Sequence, residues 1–153
     1  MKLSQLKIVA LTAVVSLVLG VSAAMAATHA TTATATVKVG SSSLGRILVD
    51  GRGRTLYLFE KDSRGHSACS GACTSYWPPL LTRAKLLARG SAKQSLLGII
   101  RRSNGRKQVT YAGHPLYRFI GDTRPGQTNG QDLQDFGAGW YVLSPTGKKI
   151  EQG

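Results

Sequence analysis

Short apolar runs separated by turn-forming residues recur along most of this chain, a pattern typical of β-strands joined by tight turns. Ile47-Leu48-Val49 and Thr55 to Phe59 flank the turn residues Asp50 to Arg54, so we predict a β-hairpin there. Both faces of the second strand carry apolar side chains, because residues two apart share a face. We therefore expect this strand to be covered on both sides.

A second group of such runs lies further along the chain. Lys107 to Tyr111 predicts a strand, Ala112 to Pro115 a turn and Leu116 to Ile120 the return strand. Before them, Leu96 to Arg102 ends at Ser103-Asn104-Gly105-Arg106, and Asn-Gly is a strong hairpin signal. The second group thus repeats the strand, turn and strand order of the first.

The repetition extends to individual residues, because both groups contain the frame Tyr-x-Phe-x-x-Asp. Its members are Tyr57, Phe59 and Asp62 in the first copy, and Tyr117, Phe119 and Asp122 in the second. One interpretation is two related ligand pockets, each with an aromatic wall and a carboxylate. The structural interpretation, which we favour, is that the aromatics fill a small β core and each aspartate caps a turn.

The pattern of runs also divides the chain. Lys2 and Lys7, the apolar residues 8–19 and the small-residue site Ala24-Met25-Ala26 predict a signal peptide over residues 1–26. Residues 27–43 predict an Ala/Thr/Ser-rich flexible tether, and the alternative for Thr34 to Val39 is an edge strand. One globular domain is predicted over 44–153, with repeat one at about 44–81, a connector at about 82–95 and repeat two at about 96–150.

These features predict where the protein goes. The apolar run is shorter than the roughly 20 residues of a membrane-spanning helix, and no cysteine follows it that could carry a lipid. We expect an exported protein, periplasmic or extracellular, soluble, not lipid-anchored and without a stable transmembrane segment after processing.

Composition adds a strong positive charge, with a formal net charge of +13. Only Lys2 and Lys7 would leave with the signal peptide, and the remaining bases are spread along the chain. Such a surplus predicts a solvated basic surface. Its alternative is electrostatic binding to an anionic envelope polymer, lipid headgroups or extracellular nucleic acid.

The two cysteines, Cys69 and Cys73, most simply form one disulfide in an exported protein. One helical turn would place their α-carbons roughly 6 Å apart, which a disulfide can bridge. The alternative is copper or zinc binding by reduced thiolates with His66, and with His114 if the repeats bring the two turns together. We expect no cofactor in the preferred interpretation.

The fold class that follows is mainly β, with two tandem repeats of short antiparallel hairpins and a short helical turn at the cysteine pair. The chain resembles a bacterial secreted-repeat family with a Tyr-x-(Phe/Trp/Tyr)-x-x-Asp motif, which includes many predicted lipoproteins. Further matching blocks are Cys69 to Cys73 with Trp77-Pro78-Pro79-Leu80, Pro125-Gly126-Gln127-Thr128 and Trp140-Tyr141-Val142. The resemblance implies export and a repeat architecture, for a family largely of unknown function.

Function is less constrained. No paired-carboxylate or Gly-x-Ser-x-Gly arrangement indicates hydrolysis, so we expect no enzyme. The predicted function is a non-catalytic binding or structural module of the cell envelope or extracellular space, with an unknown ligand and partner. The alternatives are metal handling or redox chemistry at the cysteine turn, and electrostatic binding to an anionic polymer or membrane surface.

Overall fold

A computed structural model describes residues 34–151, which form short strands connected by turns. The strands are β1 (Ala35–Ser42), β2 (Gly45–Asp50), β3 (Tyr57–Phe59), β4 (Leu81–Thr82), β5 (Leu86–Arg89), β6 (Leu97–Arg101), β7 (Lys107–Tyr111), β8 (His114–Pro115), β9 (Leu133–Asp135) and β10 (Ala138–Val142). Helix α1 (Cys73–Tyr76) is a single turn, and a 3-10 helix spans Gln94–Leu96. The fold is mainly β, with its short helical turn at the second cysteine, as predicted.

The first sheet has the order β2-β1-β5. Strand β1 pairs antiparallel with β2 and parallel with β5. The structure therefore differs from the predicted tether, because residues 35–42 form the central strand of a sheet. Ala35 and Val37 are buried, and backbone pairing on both sides compensates for the small apolar area of this Ala/Thr-rich segment. The predicted signal peptide and residues 27–33 lie outside the described residues.

The other two sheets join the two repeats. In the order β3-β10-β9, β3 of repeat one pairs antiparallel with β10 of repeat two, and Trp140 lies opposite Phe59. In the second, β7 of repeat two lies between β4 of repeat one and β6, and also pairs with β8. Each of these two sheets therefore contains strands of both repeats.

The hairpin between β6 and β7 is present as predicted. The Gly105 amide donates to the Arg102 carbonyl at 2.9 Å, and Gly105 has a φ of 78°. Glycine adopts this left-handed conformation without the clash that a side chain would cause. The Asn-Gly signal therefore identified the turn from local chemistry alone.

The core has two clusters of buried side chains. One is aliphatic and includes Val37, Leu48, Leu56, Leu58, Leu80, Val109, Leu116 and Leu143. The other is mainly aromatic and includes Tyr57, Phe59, Trp77, Tyr117 and Trp140, together with both cysteines. The two faces of β3 separate them, since Leu58 lies in the first cluster and its neighbours Tyr57 and Phe59 in the second.

Candidate functional site

The two copies of the Tyr-x-Phe-x-x-Asp motif meet inside the aromatic cluster. The Tyr57 hydroxyl donates a hydrogen bond to Asp122 Oδ2 at 2.5 Å, and the Tyr117 hydroxyl donates one to Asp62 Oδ2 at 2.8 Å. Each tyrosine thus pairs with the aspartate of the other copy. We refer to these four residues as the crossed Tyr–Asp pairs.

The backbone holds the two copies in register at the same place. The Tyr57 amide donates to the Tyr117 carbonyl at 2.9 Å, and the Tyr117 amide returns a bond to the Tyr57 carbonyl at 3.0 Å. Both tyrosines are fully buried. The two motif copies are therefore joined antiparallel at this pair of residues.

Aromatic side chains of the two repeats also stack on one another. Trp77 of repeat one stacks on Trp140 of repeat two, with ring centroids 3.9 Å apart and planes within 5°. Phe59 stacks on Trp140 at 4.1 Å, and Phe119 lies against Trp77 at 4.4 Å. Aromatic rings of the two repeats alternate through the stack, so the motif's aromatic positions hold the repeats together.

Each aspartate also fixes the loop that follows it. Asp62 Oδ1 accepts the Ala68 amide at 2.7 Å, and Asp122 Oδ1 accepts the Asn129 amide at 2.9 Å. This capping role is the one that the structural interpretation predicts for these aspartates. Gly130, next in the second loop, donates its amide to the Tyr57 hydroxyl at 3.3 Å. A side chain there would meet the rings of Trp77 and Tyr57, so glycine permits the close approach.

Burial dominates the protonation chemistry of the crossed pairs. It raises the pKa of Asp62 to about 6, although the hydrogen bonds from Ala68 and Tyr117 act in the opposite direction. Burial likewise raises the pKa of Asp122. It also raises the pKa of Tyr57 and of Tyr117, with a further contribution from the paired carboxylate, so both hydroxyls remain donors.

The Tyr117 pair continues into a polar network that the sequence did not indicate. The Tyr117 hydroxyl lies 2.7 Å from Ser67 Oγ, which accepts a bond from Arg102 Nη1 at 2.8 Å. Arg102 also donates to Gln108 Oε1 and, through Nη2, to the Cys69 carbonyl, both at 2.5 Å. The guanidinium therefore ties the cysteine turn to strand β7.

The cysteine turn contains the predicted disulfide. Cys69 and Cys73 are bonded, with their α-carbons 5.4 Å apart, and both are buried. The copper or zinc alternative requires that this bond be reduced, because a disulfide sulfur carries no thiolate. Among residues 34–151, no three His, Cys, Asp or Glu side chains come together in an arrangement that could hold a metal ion.

The two histidines of the metal-binding alternative lie in a turn and on a strand outside the disulfide loop. His66 is exposed and closes a turn with Ser63 through two backbone bonds. His114 is half-buried on β8 and lines a cleft of about 470 Å³ that Asp62 also lines. Burial lowers the pKa of His114, and the charge of Arg64 lowers it further.

A second concave surface is lined by many basic side chains. Three clefts of about 470, 400 and 260 Å³ all have Leu81 and Arg106 in their walls. We refer to them together as the arginine cleft. Its basic residues are Arg52, Arg54, Arg83, Arg102, Arg106, Lys107 and Arg118.

Asp50 is the one carboxylate lining the arginine cleft as defined by these residues. It is buried, and it accepts bonds from the Arg52 and Arg54 amides and from the Arg54 guanidinium. Arg118 Nη1 lies 4.0 Å from Asp50 Oδ2, and Arg118 Nε is buried without a hydrogen-bond partner among the described residues. Burial and the nearby Arg54 lower the pKa of Arg118. The cleft therefore holds more positive charge than its own carboxylate neutralises.

Comparison with known families identifies the repeats. A family described as a secreted repeat of unknown function matches residues 38–81 and 98–144, which together make up more than half of the chain. The chain belongs to this secreted-repeat family. No curated protein and no solved structure matches it. Within residues 34–151, none of the helices has the length and apolarity needed to cross a membrane.

The two segments matched by the secreted-repeat family each contain one tyrosine and one aspartate of the crossed Tyr–Asp pairs. The first segment contains Tyr57 and Asp62, and the second contains Tyr117 and Asp122. The first begins at Lys38, inside β1, whereas the predicted repeat one began at about residue 44. Crossed pairing is thus an interaction between the family's two repeat units.

Sequence reasoning missed the arginine cleft, although every one of its bases was visible in the sequence. Arg52 and Arg54 belong to one turn, Arg106 to another, and Arg118 to the segment after β8. Turn chemistry predicted both turns, but no local pattern places them on one surface. The signal that could have found the cleft is the clustering of arginines in and beside predicted turns.

Proposed function

We propose that this member of the secreted-repeat family is an exported, non-catalytic binding module that holds an anionic ligand in the arginine cleft. The observation that carries the proposal is the convergence of seven basic side chains on one concave surface with a single, already saturated carboxylate. A cleft lined by one sign of charge concentrates its field and attracts ligands of the opposite sign.

The side chains of the repeat motif are already engaged in the core, which supports placing the ligand in the arginine cleft. The hydroxyls of Tyr57 and Tyr117 are buried and engaged with Asp122 and Asp62, and the aromatic rings are stacked on one another. These groups maintain the fold, so we place ligand binding on the surface. The core then serves to position the loops that carry the arginines.

Several cleft bases are available for a ligand. Within residues 34–151, Arg83, Arg106 and Lys107 are exposed and have no carboxylate within 4.0 Å. The Arg118 side chain, which also lines the cleft, is 26 % exposed. Guanidinium groups suit phosphate and carboxylate oxygens because they can donate two parallel hydrogen bonds.

The expected compartment is periplasmic or extracellular, with the protein neither lipid-anchored nor membrane-spanning. The family's description as secreted supports export. The buried Cys69–Cys73 disulfide agrees with folding in an oxidising compartment. Fractionation of the producing cells, with and without release of the envelope, would test this placement.

Binding of inorganic polyphosphate, measured by calorimetry against neutral dextran, tests the ligand class. We expect polyphosphate binding that weakens with salt. Arg83→Gln combined with Arg106→Gln should weaken it by roughly fivefold or more, since each exposed charge contact is worth about 0.5 kcal/mol or more. The matched control is Arg89→Gln at the exposed end of β5, outside the cleft, combined with Lys93→Gln. Equal loss in both double variants would refute a role for the cleft.

A further inference from the structure

Three large apolar side chains form an exposed group that the proposed function does not use. Tyr76 and Ile120 are each 52 % exposed, and Phe136 is 40 % exposed. The rings of Tyr76 and Phe136 lie 6.0 Å apart, and the Ile120 amide donates to the Tyr76 carbonyl at 3.0 Å. We refer to these three residues as the apolar tip. Large apolar groups gathered at the surface mark interaction sites more often than isolated ones do.

The apolar tip continues the wall of the arginine cleft. Residues 76–80 run antiparallel to residues 116–120, and the Arg118 amide donates to the Pro78 carbonyl at 2.9 Å. Pro78 and Arg118 line the cleft, and the next backbone bond of the same pairing joins Ile120 to Tyr76. Arg118 and Ile120 are two residues apart, so their α-carbons are separated by no more than about 7 Å.

Phe136 is held in a conformation that its side chain disfavours. Phe136 and Gly137 form the two-residue turn between β9 and β10, with φ values of 57° and 89°. Positive φ at both positions is the pattern of a type I′ turn, for which Asn-Gly is the preferred sequence. A bulky aromatic residue is strained there. Local stability of the turn therefore does not account for a phenylalanine at this position.

We propose that the apolar tip inserts into the surface of an anionic lipid bilayer while the arginine cleft binds the phosphates of the headgroups. This inference rests on the proposed function, for which it names the ligand. Burial of apolar side chains at the interface and attraction of bases to anionic lipid act together in peripheral membrane binding. The arrangement of the cleft beside the tip supplies both.

The geometry of the tip favours lipid over a stacked ligand. The Tyr76 and Phe136 rings are inclined by 47° and offer no common plane for a sugar chain or for nucleic acid bases. Ile120 has no π face at all. The charges in the turn itself nearly balance, since Asp135 precedes Phe136 and Lys61 Nζ lies 3.4 Å from the Phe136 carbonyl. Attraction to the bilayer therefore comes from the cleft.

Cosedimentation with vesicles tests the inference, using phosphatidylcholine alone and phosphatidylcholine mixed with phosphatidylglycerol. We expect binding to the anionic vesicles only. Phe136→Asn and Ile120→Ser should each weaken it about tenfold, the effect of removing one apolar side chain worth ~1.4 kcal/mol. Ile99→Ser is the matched control, because Ile99 is 46 % exposed on β6, outside the tip.

Phe136→Asn separates function from folding, since it places the preferred residue in the turn. Its melting temperature should equal or exceed that of the wild type, while its vesicle binding falls. Polyphosphate binding should be unchanged in all three variants.

The remaining outcomes divide the two proposals. Polyphosphate binding without vesicle binding, or vesicle binding that Phe136→Asn and Ile120→Ser leave intact, would overturn the inference and leave the proposed function standing. Failure to bind either probe would overturn both. A dimer that Ile120→Ser converts to a monomer would assign the tip to a second copy of the chain and would also overturn the inference.

Discussion

Tyr57 and Tyr117 each complete a hydrogen bond that the other repeat's aspartate requires. The Tyr57–Asp122 bond is buried and the Tyr117–Asp62 bond is partly buried, and a buried carboxylate without a donor is unfavourable by about 1–3 kcal/mol. The same two residues exchange backbone bonds, so side chains and main chain specify one register between the repeats. At this scale the duplicated motif acts as two halves of one contact.

A double-mutant cycle tests the crossed pairing. Tyr57→Phe and Asp122→Asn remove the two sides of one bond, so we expect a coupling energy of about 1 kcal/mol or more between them. Tyr57→Phe with Asp62→Asn lies within one motif copy but across no bond, and should be additive to within about 0.5 kcal/mol. Urea denaturation of the single and double variants gives both values. Coupling within the copy, with additivity across copies, would contradict the structure.

The raised pKa of Asp62, about 6 against 3.8 for the free side chain, predicts a pH-dependent stability. Between these values the folded state binds more protons than the unfolded state, so the free energy of unfolding falls as pH rises from about 4 to 6. The loss should be about 1–2 kcal/mol, allowing for partial solvent screening. Asp62→Asn removes one of the two carboxyl groups with a raised pKa and should make the slope shallower, while Asp122 keeps its own contribution. Parallel slopes for wild type and variant, measured by urea denaturation from pH 4 to 7, would refute this origin.

Among the elements, the cysteine turn has a narrow structural role. It encloses few residues, and the Arg102 guanidinium already fixes the Cys69 carbonyl to β7 through Gln108. The disulfide therefore stabilises a local turn and not the junction between repeats.

Removal of that disulfide should lower stability without abolishing the fold. We expect Cys69→Ser with Cys73→Ser to reduce the free energy of unfolding by about 2 kcal/mol, the chain-entropy value for so short a loop. Near-ultraviolet circular dichroism should retain the signal of the Trp77–Trp140 stack. Polyphosphate binding should persist in the variant. Loss of binding, with the stack intact, would instead place function at the cysteine turn.

Local sequence patterns predicted some elements of the fold and not others. The β6–β7 hairpin was predicted because Asn104-Gly105 specifies its turn within four residues. Strand β1 was predicted only as an alternative to the tether, and only as an edge strand, because alanine and threonine bury little apolar area. Its central position depends on pairing with the parallel strand β5, which is remote in sequence. The hydrogen-bond partners of the Tyr57 and Tyr117 hydroxyls could not be predicted either, since residues of a tandem repeat can pair within a copy or between copies. Only the assembled sheets decide that choice.

At the scale of the whole molecule, the two repeats share one interior. Sheets β3-β10-β9 and β4-β7-β6 each combine strands from both, and the aromatic stack alternates between them. The arginine cleft is also shared, since Arg52 and Arg54 come from repeat one and Arg106 and Arg118 from repeat two. The two repeats therefore form one cleft together, and neither repeat contains all of its lining residues.

Separated repeats should consequently not fold. A fragment of about 60 residues buries a smaller fraction of its surface than a whole domain does, and here each fragment would also lose its strand and hydrogen-bond partners. We expect fragments 34–95 and 96–151 to show no cooperative thermal unfolding when alone. Mixing them should restore the near-ultraviolet signal of the stacked Trp77 and Trp140, because each fragment supplies one of the two indoles. A cooperative transition in either isolated fragment would mean that a repeat has a sufficient core of its own, and that the crossed Tyr–Asp pairs join two independent units.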